Sequence, residues 1–281
     1  MDLQTKKELE IFATKVRMGV IEGTYCAKAG HPGGSLSIAE VLTWLYTNEM
    51  NVDPKDPKNP KRDRFVLSKG HTAPALYSVL AEKGYFDKAE LLKLRKTGAM
   101  LQGHPDMKHI PGVDMTTGSL GQGISTAVGM ALGGKISGKG FTVYAALGDG
   151  EIQEGQVWEA AMAAAHYKLD NLVAVVDNNG LQIDGNIADV MSPYPITDKF
   201  AAFGWNVVTA DAHDFDSIHA AFEKTNEKNG KPWVIVQKSV KGKGVSFMED
   251  KASWHGSAPN DEQYAQAMED LNAIAKELEA K

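Results

Sequence analysis

Two short runs of apolar, largely β-branched residues stand out in the middle of the chain. Residues 141–146, apart from Thr142, and residues 172–176 are apolar without alternation, which is typical of strands buried on both faces of a parallel sheet. The segment 153–168 between them has helical character, so the three together predict a βαβ unit. Further strands are predicted at 65–67, 206–209 and 233–236, with helical segments in between. We therefore predict an α/β fold with a mainly parallel sheet.

The remaining apolar positions mostly follow helical spacing. Residues 5–29 carry one apolar stripe, and Ser37 is a candidate N-cap for a second helix that continues to about residue 45. A helix is expected after residues 116–123, and its small residues predict close packing, either within the chain or against a second subunit. The final segment, 261–281, is predicted to be a helix with charged residues on most faces.

Polar residues follow directly after the two central strands. Asp149 lies in a Gly-Asp-Gly turn after the first strand, and Asn179 and Gly180 follow the second. Because neighbouring parallel strands end at the same edge of a sheet, we expect Asp149 and Asn179 to project into one crevice. Gly180 permits a sharp turn that can aim the carbonyl of Leu181 at the same point. Three oxygen ligands without thiol or imidazole suit Mg2+ or Ca2+ rather than Zn2+.

The same turn favours an anionic ligand. Gly148 and Gly150 leave backbone N–H groups accessible, so a diphosphate can approach them closely. The carboxylate of Asp149 does not neutralise a divalent ion, and unit charges about 4 Å apart interact by roughly 4 kcal/mol at a dielectric near 20. Either turn alone is more typical of an ordinary strand end. The two turns together, after matched strands, favour a site for a metal ion and a diphosphate.

Length and composition narrow the class of protein. The chain has 281 residues, 43% of them hydrophobic, which suffices for one substantial core. A formal net charge of -6 argues against nucleic acid and anionic membranes as partners. The one cysteine, Cys26, cannot form an internal disulfide and fits a reducing compartment. Because we find no secretory leader and no apolar run near the roughly 18 residues of a membrane span, we expect a cytoplasmic protein.

Several loops combine glycine with histidine or lysine. Four of the eight histidines and two lysines lie in such loops: His31, His71, His104, His255, Lys69 and Lys241. Loop histidines are usually solvated surface residues, but they also suit a site that handles sugar hydroxyls and protons near neutral pH. The loop after strand 65–67 places His71 at the sheet edge that carries Asp149. Spacing alone does not place His31, His104 or His255 there.

These loops resemble the motifs of a known enzyme family. The Gly-Asp-Gly turn at 148–150, followed after 27 residues by Asn178-Asn179, is similar to the diphosphate–metal motif of thiamine-diphosphate enzymes. Six further segments resemble transketolase motifs, in transketolase order: Gly30-His31-Pro32-Gly33, Ser68-Lys69-Gly70-His71, Gly103-His104-Pro105, Thr117-Gly118-Ser119-Leu120-Gly121-Gln122-Gly123, Lys241-Gly242-Lys243-Gly244 and Trp254-His255-Gly256. The resemblance spans residues from about 9 to 260. It implies a three-layer sandwich, the diphosphate-binding (PP-type) domain of the thiamine-diphosphate fold, over residues 1–281.

The resemblance implies thiamine diphosphate and Mg2+, or Ca2+, as cofactors. Asp149, Asn179 and the Leu181 carbonyl would hold the metal ion. The diphosphate tail would be contacted by residues of five loops: Lys69, His71, Gly150, Asn179, Lys241 and His255. In the motif around Ser119, the Gly118 carbonyl would accept from the aminopyrimidine amine, and Leu120 would pack beside the cofactor rings.

Further roles follow from the same resemblance. His31, His104 and His255 would contact the sugar near the bond that is broken. Glu154 and Glu159 would support the cofactor network where subunits meet, although they are equally explained as acids on a helix face. The implied reaction transfers a two-carbon ketol unit from a ketose phosphate to an aldose phosphate.

The family's pyrimidine-binding and C-terminal domains have no counterpart in this sequence. The glutamate that activates the cofactor lies in the pyrimidine-binding domain of the family. We therefore expect the chain to be the N-terminal subunit of a split transketolase. It would be active only with a separately encoded C-terminal subunit, in an assembly with two copies of each, α2β2.

Two other functions stay open at this point. The chain can be a subunit of another thiamine-diphosphate enzyme, similar to 1-deoxyxylulose-5-phosphate synthase or to a 2-oxoacid dehydrogenase. The three sugar-contacting histidines disfavour the latter. It can also be a non-catalytic module that binds the cofactor, which the intact Asp149, Asn179 and His255 disfavour.

Overall fold

A computed structural model of the chain describes residues 1–280. The strands are β1 (Arg64–Leu67), β2 (Val143–Gly148), β3 (Leu172–Asn178), β4 (Leu181–Gln182), β5 (Gly185–Asn186), β6 (Asn206–Asp211) and β7 (Trp233–Lys238). Five of them form a sheet in the order β1-β2-β3-β7-β6, and every neighbouring pair is parallel. Strands β4 and β5 form a short antiparallel pair directly after β3.

The α-helices are α1 (Leu3–Ala27), α2 (Pro32–Leu36), α3 (Ala39–Trp44), α4 (Ala73–Lys83), α5 (Gln122–Ile136), α6 (Gly155–His166), α7 (Ile187–Met191), α8 (Ile196–Ala202), α9 (Phe215–Thr225) and α10 (Asp261–Ala280). A π-helix, Leu45–Glu49, continues α3. Short 3-10 helices occupy Gly70–Thr72, Lys88–Lys93, Glu151–Gln153 and Ala252–Trp254. None of the helices formed by residues 1–280 combines the length and the apolar composition of a membrane span.

The central strands divide their side chains between two apolar cores. In β3, Val173 and Val175 face the core that is shared with α1, α3, α4, α9 and α10. Leu172, Ala174 and Val176 face the opposite core, which α5, α6 and α8 cover. Because both faces are buried, continuous apolar runs rather than alternating ones encode these strands. The predicted three-layer α/β sandwich around a parallel sheet is confirmed.

Some predicted boundaries are wrong in detail. Strand β2 begins two residues later than expected, and Phe141 instead packs against Gly134 of α5. Ser37 is not a helix N-cap: it follows α2, and its hydroxyl donates to the Gly34 carbonyl and to Asp177 at 2.7 Å. The last helix, α10, buries an apolar stripe against α1. The final position of that predicted helix, residue 281, lies outside the described residues.

The glycines of α5 differ in how closely other parts of the chain pack against them. A Cβ added at Gly123 would lie 2.6 Å from the Cα of Ser68, so the helix packs directly on the backbone after β1. A Cβ at Gly129 or Gly133 would meet nothing within 4 Å. Close packing within the chain therefore explains Gly123, whereas it does not explain Gly129 and Gly133.

The parallel sheet brings the ends of its strands together. The loops after β1, β2, β3 and β7 all leave the same edge of the sheet. The chain leaves β3 toward α8 on one face and leaves β7 toward α10, which packs on the other face. Adjacent strands whose following connections run to opposite faces of the sheet form a crevice at their carboxyl ends. Open α/β sheets bind ligands in this crevice.

The two classes of glycine in α5 predict opposite effects on stability. Gly123→Ala should lower the free energy of unfolding by about 2 kcal/mol, because the backbone of Ser68 cannot move away freely. Gly129→Ala is the matched control in the same helix, and it should raise that free energy by up to about 1 kcal/mol. Urea denaturation of the isolated chain measures both. Equal effects of the two substitutions would contradict the difference in packing between the two glycines.

Candidate functional site

A cavity of about 200 Å3 opens at the carboxyl edge of the sheet, between the loops after β1, β2, β3 and β7. Most of the site residues predicted from the sequence line it: Lys69, His71, Leu120, Asp149, Gly150, Glu154, Asn179, Leu181, Lys241 and His255. These residues come from segments up to 186 positions apart, between Lys69 and His255. The parallel sheet is the element that joins them.

The turns after β2 and β3 interlock through Asp149. Its Oδ2 accepts a hydrogen bond from the backbone N–H of Gly180 at 2.6 Å, and its Oδ1 accepts one from Gly150 at 2.9 Å. The Oδ1 of Asn179 accepts from the Leu181 N–H at 3.1 Å. Gly180 adopts a φ of 76°, a left-handed conformation that favours glycine, and this sharp turn brings the β3 loop onto Asp149.

Asp149 is a carboxylate in a setting that favours a cation. Only 2% of its surface is exposed. Burial and the nearby negative charge of Asp177 raise its pKa to about 6. A bound cation would offset both effects. Among residues 1–280 no group of three His, Cys, Asp or Glu side chains is arranged to hold a metal ion. A metal here would therefore depend on amide and carbonyl oxygens, such as those of Asn179 and Leu181.

Two buried lysines supply positive charge to the same cavity. Lys69 and Lys241 are 1% and 2% exposed. The Nζ of Lys241 donates to the Leu181 carbonyl at 3.0 Å and lies 3.1 Å from Nδ1 of His255. Burial and the neighbouring charge of Lys69 lower the pKa of Lys241 to about 8. Two ammonium groups shielded from water beside one cavity form a setting that suits a multiply charged anion such as a diphosphate.

Asp177 organises this region, although no sequence pattern assigned it a role. It lies at the end of β3 and is 2% exposed. It accepts hydrogen bonds from Lys69 and Ser239, from Ser37 at 2.7 Å and from Asn179 at 3.0 Å. The positive charge of Lys69 and these hydrogen bonds outweigh burial and lower the pKa of Asp177. The sequence did contain a signal for Asp177, because a charged residue at the end of an otherwise apolar strand indicates a buried charge with partners elsewhere in the chain.

Glu151 plays a comparable part on the other side of the cavity. It is 2% exposed, and it accepts hydrogen bonds from the Ser68 hydroxyl and, at 3.0 Å each, from the backbone N–H groups of Gly121 and Gly148. Burial raises the pKa of Glu151 by more than those hydrogen bonds lower it. Glu151 thereby ties the loop that carries residues 118–120 to the turn after β2. In the sequence it directly follows the Gly-Asp-Gly turn, and no motif gave it a role.

Three histidines from distant loops form a cluster beside the cavity. The ring centroids of His31, His71 and His255 lie between 5.1 and 5.5 Å from one another. Burial and neighbouring positive charges lower the pKa of His31 to about 4 and that of His255 to about 3. The pKa of His71 is well below its usual value for the same reasons. All three imidazoles are therefore neutral at pH 7.

Other predicted residues lie at the margin of the cavity or away from it. His104 is exposed, and its ring packs against Gly118, where an added Cβ would be 3.1 Å from Cδ2. Gly118 and Ser119 line a separate shallow groove at the start of α5. Glu154 reaches the cavity, whereas Glu159 is exposed on α6 and does not line it.

Comparison with known proteins identifies the family to which this chain belongs. Residues 10–277 match the family model described as "Transketolase, thiamine diphosphate binding domain". An apulose-4-phosphate transketolase subunit from Phocaeicola vulgatus is 44% identical over 96% of this chain and 96% of its own length. The 6-deoxy-6-sulfo-D-fructose transketolase subunit SqwG of Clostridium sp. is 46% identical over 94% of this chain and 96% of its own.

Longer relatives match over only part of their length. Human transketolase is 44% identical over 91% of this chain, which covers 40% of the human protein. The crystal structure of transketolase from Campylobacter jejuni superposes with a TM-score of 0.89 and 30% identity over 99% of this chain and 46% of that one. The chain thus spans about half the length of the solved structures it resembles. It belongs to the transketolase family, as a thiamine diphosphate binding domain of the N-terminal subunit type.

Proposed function

We propose that this chain is the N-terminal subunit of a two-subunit transketolase, a cytoplasmic enzyme that contains two copies of each subunit. The chain would supply one diphosphate-binding domain, over residues 1–281. A separately encoded subunit would supply the pyrimidine-binding domain. The relatives that match along 96% of their own length are named as subunits, which supports this division.

One observation carries the proposal: two buried lysines and a buried carboxylate with a raised pKa face the same cavity. Lys69 pairs with Asp177, whereas among residues 1–280 Lys241 contacts a carbonyl and an imidazole and Asp149 accepts from backbone N–H groups. An anion at Lys241 and a cation at Asp149 would each supply an opposite charge. Thiamine diphosphate with Mg2+, or with Ca2+, combines the two. Asp149, Asn179 and the Leu181 carbonyl would hold the metal ion, and Lys69 and Lys241 would hold the diphosphate.

Other residues of the site would position the cofactor and the sugar. His71, Gly150 and His255 would contact the diphosphate, and Leu120 would pack beside the cofactor rings. Gly118 and Ser119, in the groove next to the cavity, would contact the aminopyrimidine. Glu154 would support the cofactor where the subunits meet. Glu159 would act there only from across a subunit contact, since it lies on the exposed side of α6.

The proposed reaction transfers a two-carbon ketol unit from a ketose phosphate to an aldose phosphate. When bound, thiamine diphosphate supplies the nucleophilic carbon and the electron sink that carbon–carbon bond cleavage requires. His31, His104 and His255 would bind the sugar near that bond. Burial keeps His31 and His255 neutral, so each ring has one N–H donor and one acceptor nitrogen. The Nδ1 of His255 lies 3.1 Å from the Lys241 ammonium, and the Nδ1 of His31 is buried, so the Nε2 atoms would face the sugar.

The division into subunits predicts complementation. The purified chain, with thiamine diphosphate and Mg2+, should transfer no ketol unit from xylulose 5-phosphate to ribose 5-phosphate. Adding the C-terminal subunit should restore transfer, because the partner completes the cofactor site. A coupled assay measures the product, and pyruvate as donor is the control for other thiamine-diphosphate enzymes. Robust transfer by the chain alone would contradict the proposal, as would a preference for pyruvate.

His104 should act on the sugar rather than on the cofactor. In the assembled enzyme, His104→Ala should lower kcat/KM for the donor by about tenfold or more, because one hydrogen bond to the sugar is lost. The affinity for thiamine diphosphate, measured by calorimetry, should change less than twofold. Lys241→Ala is the matched comparison, and it should mainly lower the affinity for thiamine diphosphate. A His104→Ala defect confined to cofactor affinity would overturn the assigned role.

The neutral histidines predict a loss of stability in acid. Since folding lowers the pKa of His31 from 6.5 to about 4, the unfolded chain binds more protons between these values. This contribution to stability is present above pH 6.5 and is lost as the pH falls toward 4. For a group as accessible as His31 we expect about 1 kcal/mol at pH 5.

Urea denaturation of the isolated chain at pH 7 and pH 5 measures this effect. The difference between the two pH values should be smaller in His31→Asn than in the wild type. Because the other groups that titrate in this range are the same in both proteins, the difference between wild type and variant gives the contribution of His31. An identical pH dependence in both proteins would show that His31 is solvated as an ordinary surface residue.

A further inference from the structure

His213 lies outside the proposed cofactor cavity, and no sequence motif assigned it a role. It belongs to the loop after β6, and its backbone N–H donates to the Asp211 side chain at 2.8 Å. The N–H of Ala212 donates to the Lys238 carbonyl, at the end of β7, at 3.0 Å. The loops after β6 and β7 are thus joined where they leave the sheet, so His213 begins its loop beside the one that carries Lys241.

The imidazole of His213 meets a different partner at each ring nitrogen. Its Nε2 accepts a hydrogen bond from the backbone N–H of Val240 at 2.9 Å. Its Nδ1 lies 3.2 Å from Oε1 of Glu40, a residue of α3. A neutral imidazole has one N–H and one acceptor nitrogen. Acceptance at Nε2 therefore places the ring proton on Nδ1, where it faces the carboxylate.

Glu40 is held as an anion in this position. It is 6% exposed, and both of its carboxylate oxygens accept from one terminal nitrogen of Arg17 at 2.6 Å. Burial alone would raise the pKa of Glu40, but the positive charge of Arg17 and the neighbouring His213 lower it to about 2. An ionised carboxylate accepts hydrogen bonds and donates none, so it favours the tautomer of His213 whose Nε2 accepts from Val240.

Val240 directly precedes Lys241, so its hydrogen bond to His213 fixes the backbone from which the Lys241 side chain leaves. On the other side, the Lys241 carbonyl accepts from the backbone N–H of Asp250 at 2.9 Å. The contact before Lys241 therefore depends on one side chain, whereas the contact after it joins two backbone groups. A substitution of His213 removes the first contact and leaves the second intact.

The surroundings of His213 are separate from the cofactor cavity. Arg17, Glu40 and His213 line a second cavity of about 250 Å3, which lies between α1, α10 and the loops after β6 and β7. Neither Glu40 nor Val240, the two residues that the ring nitrogens of His213 face, lines the cofactor cavity. A substitution of His213 therefore changes no group that would touch the cofactor, and it reaches Lys241 only through the backbone.

We infer that His213 is a positioning residue of the cofactor site: its imidazole holds the backbone at Val240 so that the ammonium of Lys241 reaches the diphosphate. This inference rests on the proposed function, because Lys241 is the residue that would bind the diphosphate there. It goes further by assigning part of the cofactor affinity to a side chain that touches no ligand. Glu40 acts together with His213, because it fixes the tautomer.

Two substitutions of His213 distinguish its two ring nitrogens. The side-chain amide of glutamine extends about as far as Nε2, and that of asparagine about as far as Nδ1. In the enzyme assembled with its C-terminal partner, His213→Asn should weaken thiamine diphosphate binding roughly three- to tenfold, as expected for the loss of one hydrogen bond. His213→Gln should keep the affinity within about twofold of the wild type, because its oxygen still accepts from Val240. Calorimetry in the presence of Mg2+ measures both affinities.

A double substitution tests whether His213 acts through Lys241. Lys241→Ala alone should weaken cofactor binding, and adding His213→Asn should lower the affinity by less than about twofold more, because the group that His213 positions is already gone. His219→Asn is the matched control. Its ring also lies beside a carboxylate, 3.4 Å from Glu223, but on α9. This control should leave the affinity within about twofold of the wild type.

The outcomes distinguish positioning from a purely structural role. Equal affinities of wild type and His213→Asn, equal losses in the two His213 variants, or an additive loss in the double variant would each overturn the inference. Urea denaturation of the same proteins supplies a further criterion. A His213→Asn variant that is less stable but binds the cofactor normally would show that His213 only stabilises the fold, which also overturns the inference.

The affinity measurement also separates this inference from the proposed function. If the wild-type assembly binds thiamine diphosphate but transfers no ketol unit, the proposed reaction fails, and the calorimetric comparison still decides the role of His213. If the wild-type assembly binds no thiamine diphosphate, the proposed function fails, and the positioning role of His213 fails with it.

Discussion

The buried carboxylate of Asp177 is the interaction on which the candidate site depends. It collects donors from the segment after α2, from the loop after β1, from the turn after β3 and from the loop after β7. An isolated buried charge is costly, and a fully paired one becomes a fixed point to which its partners are held. Lys69 is held in this way, with its ammonium at the wall of the cavity.

Glu151 extends the same principle across the cavity, since its three donors come from the β1 loop, the start of α5 and the end of β2. Two buried carboxylates thus set the wall positions before any ligand arrives, and Asp149 is left between them with backbone donors only. The positions of the charged groups are therefore set by the fold. Buried carboxylates that do not line up with a ligand themselves, such as Asp177, orient the side chains that would contact one, such as Lys69. Such preorganisation lowers the cost of ordering a site when it binds.

Much of this architecture could be predicted from local patterns. Strands β2 and β3 follow from apolar runs, which are local in the sequence. The placement of Asp149 and Asn179 at one cavity follows from the geometry of neighbouring parallel strands. The parts that escaped prediction depend on contacts across the chain. Ser37 resembled a helix cap because the acceptor that defines it, Asp177, lies 140 residues away. The cluster of His31 with His255 could not be derived from spacing, because a loop before the sheet and a loop after it meet only in the folded chain.

The sequence separations around Asp177 also bear on how the protein is made. Its partners Ser37 and Lys69 precede it by 140 and 108 residues, and Ser239 follows it by 62. At a synthesis rate of about 5–20 residues per second, a nascent chain carries Asp177 for roughly 3–12 s before Ser239 is added. The cavity wall is thus completed only when the last strand of the sheet has been made, and a polypeptide ending before β7 would lack both the strand that joins β6 to β3 and a competent pocket.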